Sequence, residues 1–430
     1  MKTSKLLFGT YCVFLLGAVL GPVTAPLARA ADSDDWPCWR GPHGDGISHE
    51  KIADKWPDDG PKKIWEQPVG IGFSSPVAVA GKIYLFATAS DGQETLSSFD
   101  AETGKPLWSQ GYPMREQMDY PGARATPYIE GDVIYTYGAG GDLSSWALAD
   151  GKPGWRVNVV KETGAKLLGV GQVWAEASSP LVAGDLIYVQ GGQDGPVAVA
   201  VNKKTGKIAW QSEAKGMGGY AACVLGEVKD GGSQLFVFGG EAVYGMDPAT
   251  GKTIWSQPWK TNYNVNAATP VFDGTHLFIT SGYIHGCMML EVSKAGAKKL
   301  WENKNLQSRF QPPILDGEFL YGNSDEKRGL LKCLSWPDGK LKWDDHELKL
   351  GFGGSFVRDG DKLITLSEDG VLSLVKATPE ACEKISQFKL FEHTKENSKN
   401  INDIWSTPII YHGKLYAKGE KEFVCLEVAK

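Results

Sequence analysis

A carboxylate, an amide, a phenol, two guanidinia, an imidazole and an indole recur at comparable places in this chain: Glu176, Asn266, Tyr220, Arg124, Arg309, His285 and Trp405. Most of them, with Ser74, Phe310 and Gly353, sit just before a recurring Ser/Thr-Pro pair or its equivalent. A purely structural position tends to repeat its residue, whereas this one varies. Polar groups converging in a funnel are the ordinary signature of a ligand site. His285, in Ser-Gly-Tyr-Ile-His-Gly-Cys, is the histidine expected to face that funnel, although a satisfied loop histidine is the simpler account. Other chemistries lack their residues. There is no Gly-x-Ser-x-Gly elbow, no His-Glu-x-x-His pair and no phosphate-cradling loop. No Cys-x-x-Cys pair is available for zinc or haem. The histidines, among them His43, His276, His346, His393 and His412, are dispersed without metal-ligand spacing. Chemistry on a glycan has only Trp174, Tyr263, Trp405 and scattered carboxylates behind it.

The elements that must position these groups are spelled by a tryptophan at Trp65, Trp108, Trp155, Trp210, Trp255, Trp301 and Trp343, with Phe388 in the next equivalent place. The spacings, 42 to 55 residues, are the length at which one repeat makes a four-stranded propeller blade. Each repeat opens on a short apolar strand, passes a Gly-containing turn and continues into a second strand rich in Ile, Val, Tyr and Phe. A polar loop and a third strand lead to Asp/Thr-Gly-Lys-x-x-Trp, as at Gly104, Gly151, Gly206, Gly251 and Gly339. The glycine supplies a left-handed turn position. The ring that follows is expected to bury against the neighbouring blade, with its indole N–H on a carbonyl. Blade seven departs from this spelling, with Phe388 and Ala-Thr-Pro-Glu-Ala-Cys-Glu in place of the turn, and looser docking is expected there.

The reading is therefore an all-β, eight-bladed propeller. Its last repeat, from Ser406, supplies only three strands, and the orphan segment around Trp65 is expected to complete that blade and close the ring. The long insertion from Asn158 to Trp174 is expected to cover a binding face, anchored by Leu167, Leu168, Val170 and Val173. Residues 1–30 read as a signal peptide: Lys2 and Lys5 precede an apolar run, and Ala28-Arg29-Ala30 is a small-x-small cleavage pattern. Residues 31–61, with Trp36 to Ser48, read as a strap against the ring, and 62–430 as the propeller. The chain is thus expected to be exported, periplasmic or extracellular, with no transmembrane segment after cleavage, and monomeric.

A net charge of -6 and a pI near 5.8 argue against a nucleic-acid partner. Cys38, Cys223, Cys287, Cys333, Cys382 and Cys425 lie mostly in apolar runs and read as small buried hydrophobes.

The repeated Gly-Lys-x-x-Trp signature resembles that of pyrroloquinoline quinone (PQQ) type propellers, shared by quinoprotein alcohol dehydrogenases and BamB-like scaffolds. The element Trp-x-x-Trp-Arg-Gly-Pro from Trp36 is similar to that of exported bacterial PQQ-like propellers. The resemblance covers Trp36 to the C-terminus and implies two functions. One is a non-enzymatic binding or scaffolding module for an envelope protein or polysaccharide. The alternative is a PQQ and calcium-dependent dehydrogenase acting on an alcohol or sugar. In that case the resemblance makes Glu176 and Asn266 the calcium ligands and sets Arg124 and Arg309 on the cofactor's carboxylates. The chain lacks the adjacent cysteine pair of such dehydrogenases and has no Asp, their base, at the next inner-strand start, and the binding module is the preferred reading.

Overall fold

Eight antiparallel blade sheets, with a small two-stranded sheet of Gln193–Pro196 and Lys215–Met217 beside them, follow one another along the chain in a computed structural model that describes residues 35–114, 117–392 and 404–429. The leader, with its expected cleavage site, and His393 lie outside the described residues. Blades one to seven span 77–113, 128–158, 181–211, 224–258, 271–303, 314–345 and 355–389. Blade eight takes three strands from 409–427, and its fourth is Lys63–Pro68, with Trp65 opposite Cys425. The all-β propeller and its closure by an N-terminal outer strand stand as the repeat implied. No helix among the described residues is long and apolar enough to cross a membrane.

The strands follow from their surroundings. A second strand such as Lys82–Thr88 is sandwiched between neighbouring blades, so it reads almost continuously apolar and is buried along nearly its whole length. Outer strands alternate, as in Thr253–Pro258, where Trp255 is buried between exposed Ile254 and Ser256. Among the described residues five cysteines are buried within this packing, and Cys382 is half-buried.

Blade-to-blade contact is a ring laid on a glycine. Trp65 lies over Gly104 of the next blade, Trp108 over Gly151, Trp155 over Gly206, Trp210 over Gly251 and Trp301 over Gly339, where an added Cβ would meet the indole at 2.3 to 2.6 Å. Each of these glycines has a φ between 68° and 70°, except Gly251 at 72°. The turn needs glycine twice, for its backbone and for the ring above it. The indole N–H of Trp65, Trp155, Trp210, Trp301 and Trp343 donates to a carbonyl in the following blade, at 2.8 to 3.0 Å. Trp255 differs because blade five turns through Gly296, over which nothing packs. Its indole donates instead to Gln234 Oε1 at 2.8 Å, and the Gln234 amide passes the link on to Ser293 O at 2.9 Å. Phe388 keeps the ring-on-glycine contact, on Gly60, without a polar link.

The Ser/Thr-Pro starts make a second set of links near the axis. Thr407 N donates to Ser75 Oγ, Ser75 N to Thr126 Oγ1 and Thr126 N to Ser179 Oγ, at 2.8, 3.1 and 2.9 Å. These hydroxyls join blades eight, one, two and three edge to edge.

Residues 36–48 cross this inner ring. Trp36 exchanges two backbone hydrogen bonds with Ala78 of blade one, and Pro37 O accepts from Ile129 N of blade two. Trp39 Nε1 reaches Thr269 Oγ1 of blade five at 3.2 Å, and Arg40 Nη2 reaches Pro313 O beside blade six at 2.6 Å. Ile47–Ser48 then adds in parallel to the innermost strand of blade seven.

The insertion after blade two is anchored differently from expectation. Asn158 caps a four-residue helix, Val159–Glu162, whose Val159 and Val160 are buried together with Leu168. Val170 and Val173 are exposed, because the loop turns them toward solvent beside Trp174.

Candidate functional site

One position per blade faces the axis. It lies three residues before the Ser/Thr-Pro proline or its equivalent, and it is Phe73, Arg124, Ala177, Tyr220, Ala267, Phe310, Phe352 and Trp405 in blades one to eight. All eight line a cup of about 250 Å³. Trp39 of the strap also lines it, and borders a second cavity of about 400 Å³ as well.

Of the residues expected here from sequence, Arg124, Tyr220, Arg309 and Trp405 come together in the cup wall. Glu176, Asn266 and His285 do not. In blades three and five the axial position is Ala177 and Ala267, so Glu176 and Asn266 stand one residue earlier. In extended chain a one-residue offset turns a side chain to the other side. Asn266 is fully buried, its Nδ2 donating to Gly239 O at 2.7 Å and Gly240 O at 3.2 Å, and its Oδ1 accepting from Ser281 Oγ at 2.7 Å. Glu176 is equally buried; Oε1 accepts weakly from Leu168 N at 3.4 Å and Oε2 has no partner. Burial pushes the Glu176 carboxyl well above its ordinary range, with Leu168 N–H and Arg124 opposing. His285 packs edge-on against Trp259, ring centroids 4.4 Å apart, outside the cup.

Several lining residues were missed by sequence reasoning: Phe73, Phe352, Tyr120, Tyr283 and Trp39. Aligning every repeat on its proline, and counting back three, finds the first two. Trp39 and Tyr283 belong to no repeat position and carry no such signal.

Trp405 stacks on Phe73 at 4.6 Å and 27° and packs on Phe310 at 4.7 Å. Gly353 makes room for it, since a Cβ there would meet the indole at 2.0 Å. Arg309 lies over Tyr283 and Phe352, at 4.3 and 4.1 Å from the ring centroids. Its guanidinium is already paired with Asp325, Nη2 being 2.8 Å from each carboxylate oxygen. Arg124 is different. It donates to the carbonyls of Gly122, at 3.0 Å, and Tyr120, and lies against Met118 Sδ. Among the described residues it forms no ion pair with a carboxylate. Burial lowers it to about 10, which leaves it charged at neutral pH. Tyr220 adds a buried hydroxyl without a hydrogen-bond partner, and burial followed by the nearby Glu176 pushes this phenol up.

The oxygen ligands that calcium needs are not presented at the cup by Glu176 and Asn266. Asn266 is engaged at both side-chain ends, and Glu176 is enclosed behind the wall. Among the described residues no three His, Cys, Asp or Glu side chains stand together in a way that could hold a metal ion.

With the blade ring and cup described, comparison with known proteins places the fold. A family model described as outer membrane protein assembly factor BamB matches residues 93–345. The chain belongs to this family. No curated protein sequence matches it. Among solved structures, BamB from Moraxella catarrhalis is similar at 15% identity and a TM-score of 0.59, covering 85% of this chain and 97% of that one. The quinohemoprotein alcohol dehydrogenase from Comamonas testosteroni is similar at 12% identity and a TM-score of 0.63, covering 94% of this chain and 82% of that one. At these identities the likeness is one of fold, and membership of the BamB family leaves activity to the site itself.

Proposed function

We propose that this protein is a non-enzymatic binding module of the cell envelope, exported by its N-terminal signal, which holds its ligand in the axial cup. One observation carries the reading: a rigid cup walled by aromatic rings surrounds Arg124, a guanidinium without a carboxylate partner among the described residues. Such a wall binds by stacking and by charge. Among the described residues its lining has no Asp or Glu to act as a base. The family description, an outer membrane assembly factor, supports an envelope setting.

The dehydrogenase alternative needs a calcium site that Glu176 and Asn266 do not offer at the cup. Calorimetric titration of the mature protein with PQQ, with and without calcium, decides between them. The expected result is no calcium-dependent binding and no reduction of an artificial electron acceptor by alcohols. Stoichiometric, calcium-dependent PQQ binding with alcohol-driven dye reduction would overturn the binding-module reading.

A further inference from the structure

The chemistry of the cup narrows its ligand, resting on the reading above for where that ligand sits. Among the described residues the lining holds two guanidinia and no carboxylate, and Asp325 occupies only one of the guanidinia. A cation held among aromatic rings is stabilised when its counter-charge arrives with the ligand. The hydroxyls point the same way. Thr126, Ser179 and Thr269 each accept a hydrogen bond, from Ser75 N, Thr126 N and Trp39 Nε1. Among the described residues none of the three donates its own proton. All three are buried, between 2% and 7% exposed, and all three line the cup. The unpartnered Tyr220 hydroxyl is a fourth donor. Blades two, three, four and five thus present unused O–H donors to one space, beside one guanidinium that forms no ion pair among the described residues.

We infer that the cup binds an acidic sugar residue, a pyranose ring bearing a carboxylate. The carboxylate pairs with Arg124, the ring and hydroxyl oxygens accept from Tyr220, Thr126, Ser179 and Thr269, and the C–H face lies on the aromatic wall. A neutral sugar leaves Arg124 without an ion-pair partner among the described residues. A flat aromatic acid satisfies the charge and the stacking but leaves the four hydroxyl donors dry and unpaired, which is costly. The volume, about 250 Å³, falls just below the roughly 300–1,000 Å³ of pockets for drug-sized ligands, so one ring enters and the rest of a chain stays outside.

The test uses the mature protein, with calorimetry and tryptophan fluorescence, against oligogalacturonate and oligomannuronate, neutral maltotriose, and naphthoate as a flat aromatic acid. At least one uronate oligomer should bind about 10-fold or more tightly than maltotriose and naphthoate, and more weakly as salt is raised. Arg124→Ala should remove that preference, a loss of about 10- to 100-fold for a charge-assisted contact. Tyr220→Phe removes only an unpartnered hydroxyl, so it should melt like the parent and bind several-fold more weakly; it keeps the test open if Arg124→Ala fails to fold. No uronate binding, or equal binding of the neutral or aromatic probe, overturns the assignment and leaves the binding-module reading standing. Uronate binding followed by chemical change of the sugar, seen by mass spectrometry, supports the ligand class and defeats the non-enzymatic reading instead.

Discussion

Lys418 is the most exacting single residue in the ring. It ends the second strand of blade eight, is 1% exposed, and donates to Gly72 O of blade one at 2.8 Å and to Gly419 O and Glu420 O at 3.0 and 3.2 Å. Burial pushes its ammonium down to about 7 from the ordinary 10.5, with Glu420 and Glu422 opposing. The folded-state value is depressed for a base, so the unfolded chain binds more protons between about pH 7 and 10.5. The contribution of Lys418 to stability therefore rises with pH across that window and is flat below it. Lys418→Met should leave three carbonyls without a donor and lower stability by about 2 kcal/mol at pH 7. It should also erase the rise expected in urea titrations of the parent between pH 7 and 9.5. An unchanged pH profile in the variant would locate that rise elsewhere. Lys418, Gln190 and Asn323 occupy like places in their blades, yet each has a different residue type because each meets a different set of backbone groups in the next blade. Variety among buried polar residues is thus no proof of a ligand site. The same lesson explains why Glu176 and Asn266 looked functional in sequence. Their types suit a cation, but a single residue of register, invisible until each repeat is aligned on its proline, sends them behind the wall while Arg124 and Tyr220 stay in it.

At the scale of the element, the blade is held by its outer turn. The sequence repeated that turn so regularly that the blade count, the strand order and the role of the tryptophans were all legible. What it did not spell were the exceptions at Trp108, whose buried indole N–H has no hydrogen-bond partner among the described residues, and at Trp255, because Gly296 still looks like a turn glycine in sequence. Its φ lies outside the left-handed region and no ring covers it. Gly206, by contrast, has φ 69° and lies under Trp155, where an added Cβ would meet the indole at 2.6 Å. Gly206→Ala should therefore cost about 2 kcal/mol, from left-handed strain together with displacement of the ring. Gly296→Ala should stay within about 0.5 kcal/mol of the parent. Denaturant melts of the two variants, read by Trp fluorescence, separate a glycine that docks a ring from one that merely turns the chain. Equal costs would mean that neither the left-handed backbone nor the ring contact at Gly206 contributes as argued.

Over the whole molecule the decisive step is closure, because each blade otherwise contacts only its two neighbours. Lys63–Pro68 covers the edge of Glu422–Glu427, whose Phe423, Val424, Cys425 and Leu426 are buried, and lays Trp65 on Gly104 across the seam. The strap that precedes it supplies Trp39 to the cup, so closing the ring and completing the site depend on the same N-terminal stretch. This dependence could not be read from the repeat, since Trp36 to Ser48 stands outside it and its partners in blades one, two, five, six and seven are remote in sequence. A variant that begins at Gly70 should expose an unpaired apolar edge, which pairs readily with other chains. Light scattering should find it oligomeric at concentrations where the mature protein is not, and its thermal transition should be lower and broader. A synthetic peptide spanning residues 35–69 should add back as a strand and restore both the single species and the sharp transition. If the shortened chain instead melts like the parent and remains a single species, the seam between blades eight and one is held by its other links, among them Lys418, the Ser75 to Thr407 hydroxyl link and the Tyr416 hydroxyl on Ala101 O, and closure by the N-terminal strand is dispensable.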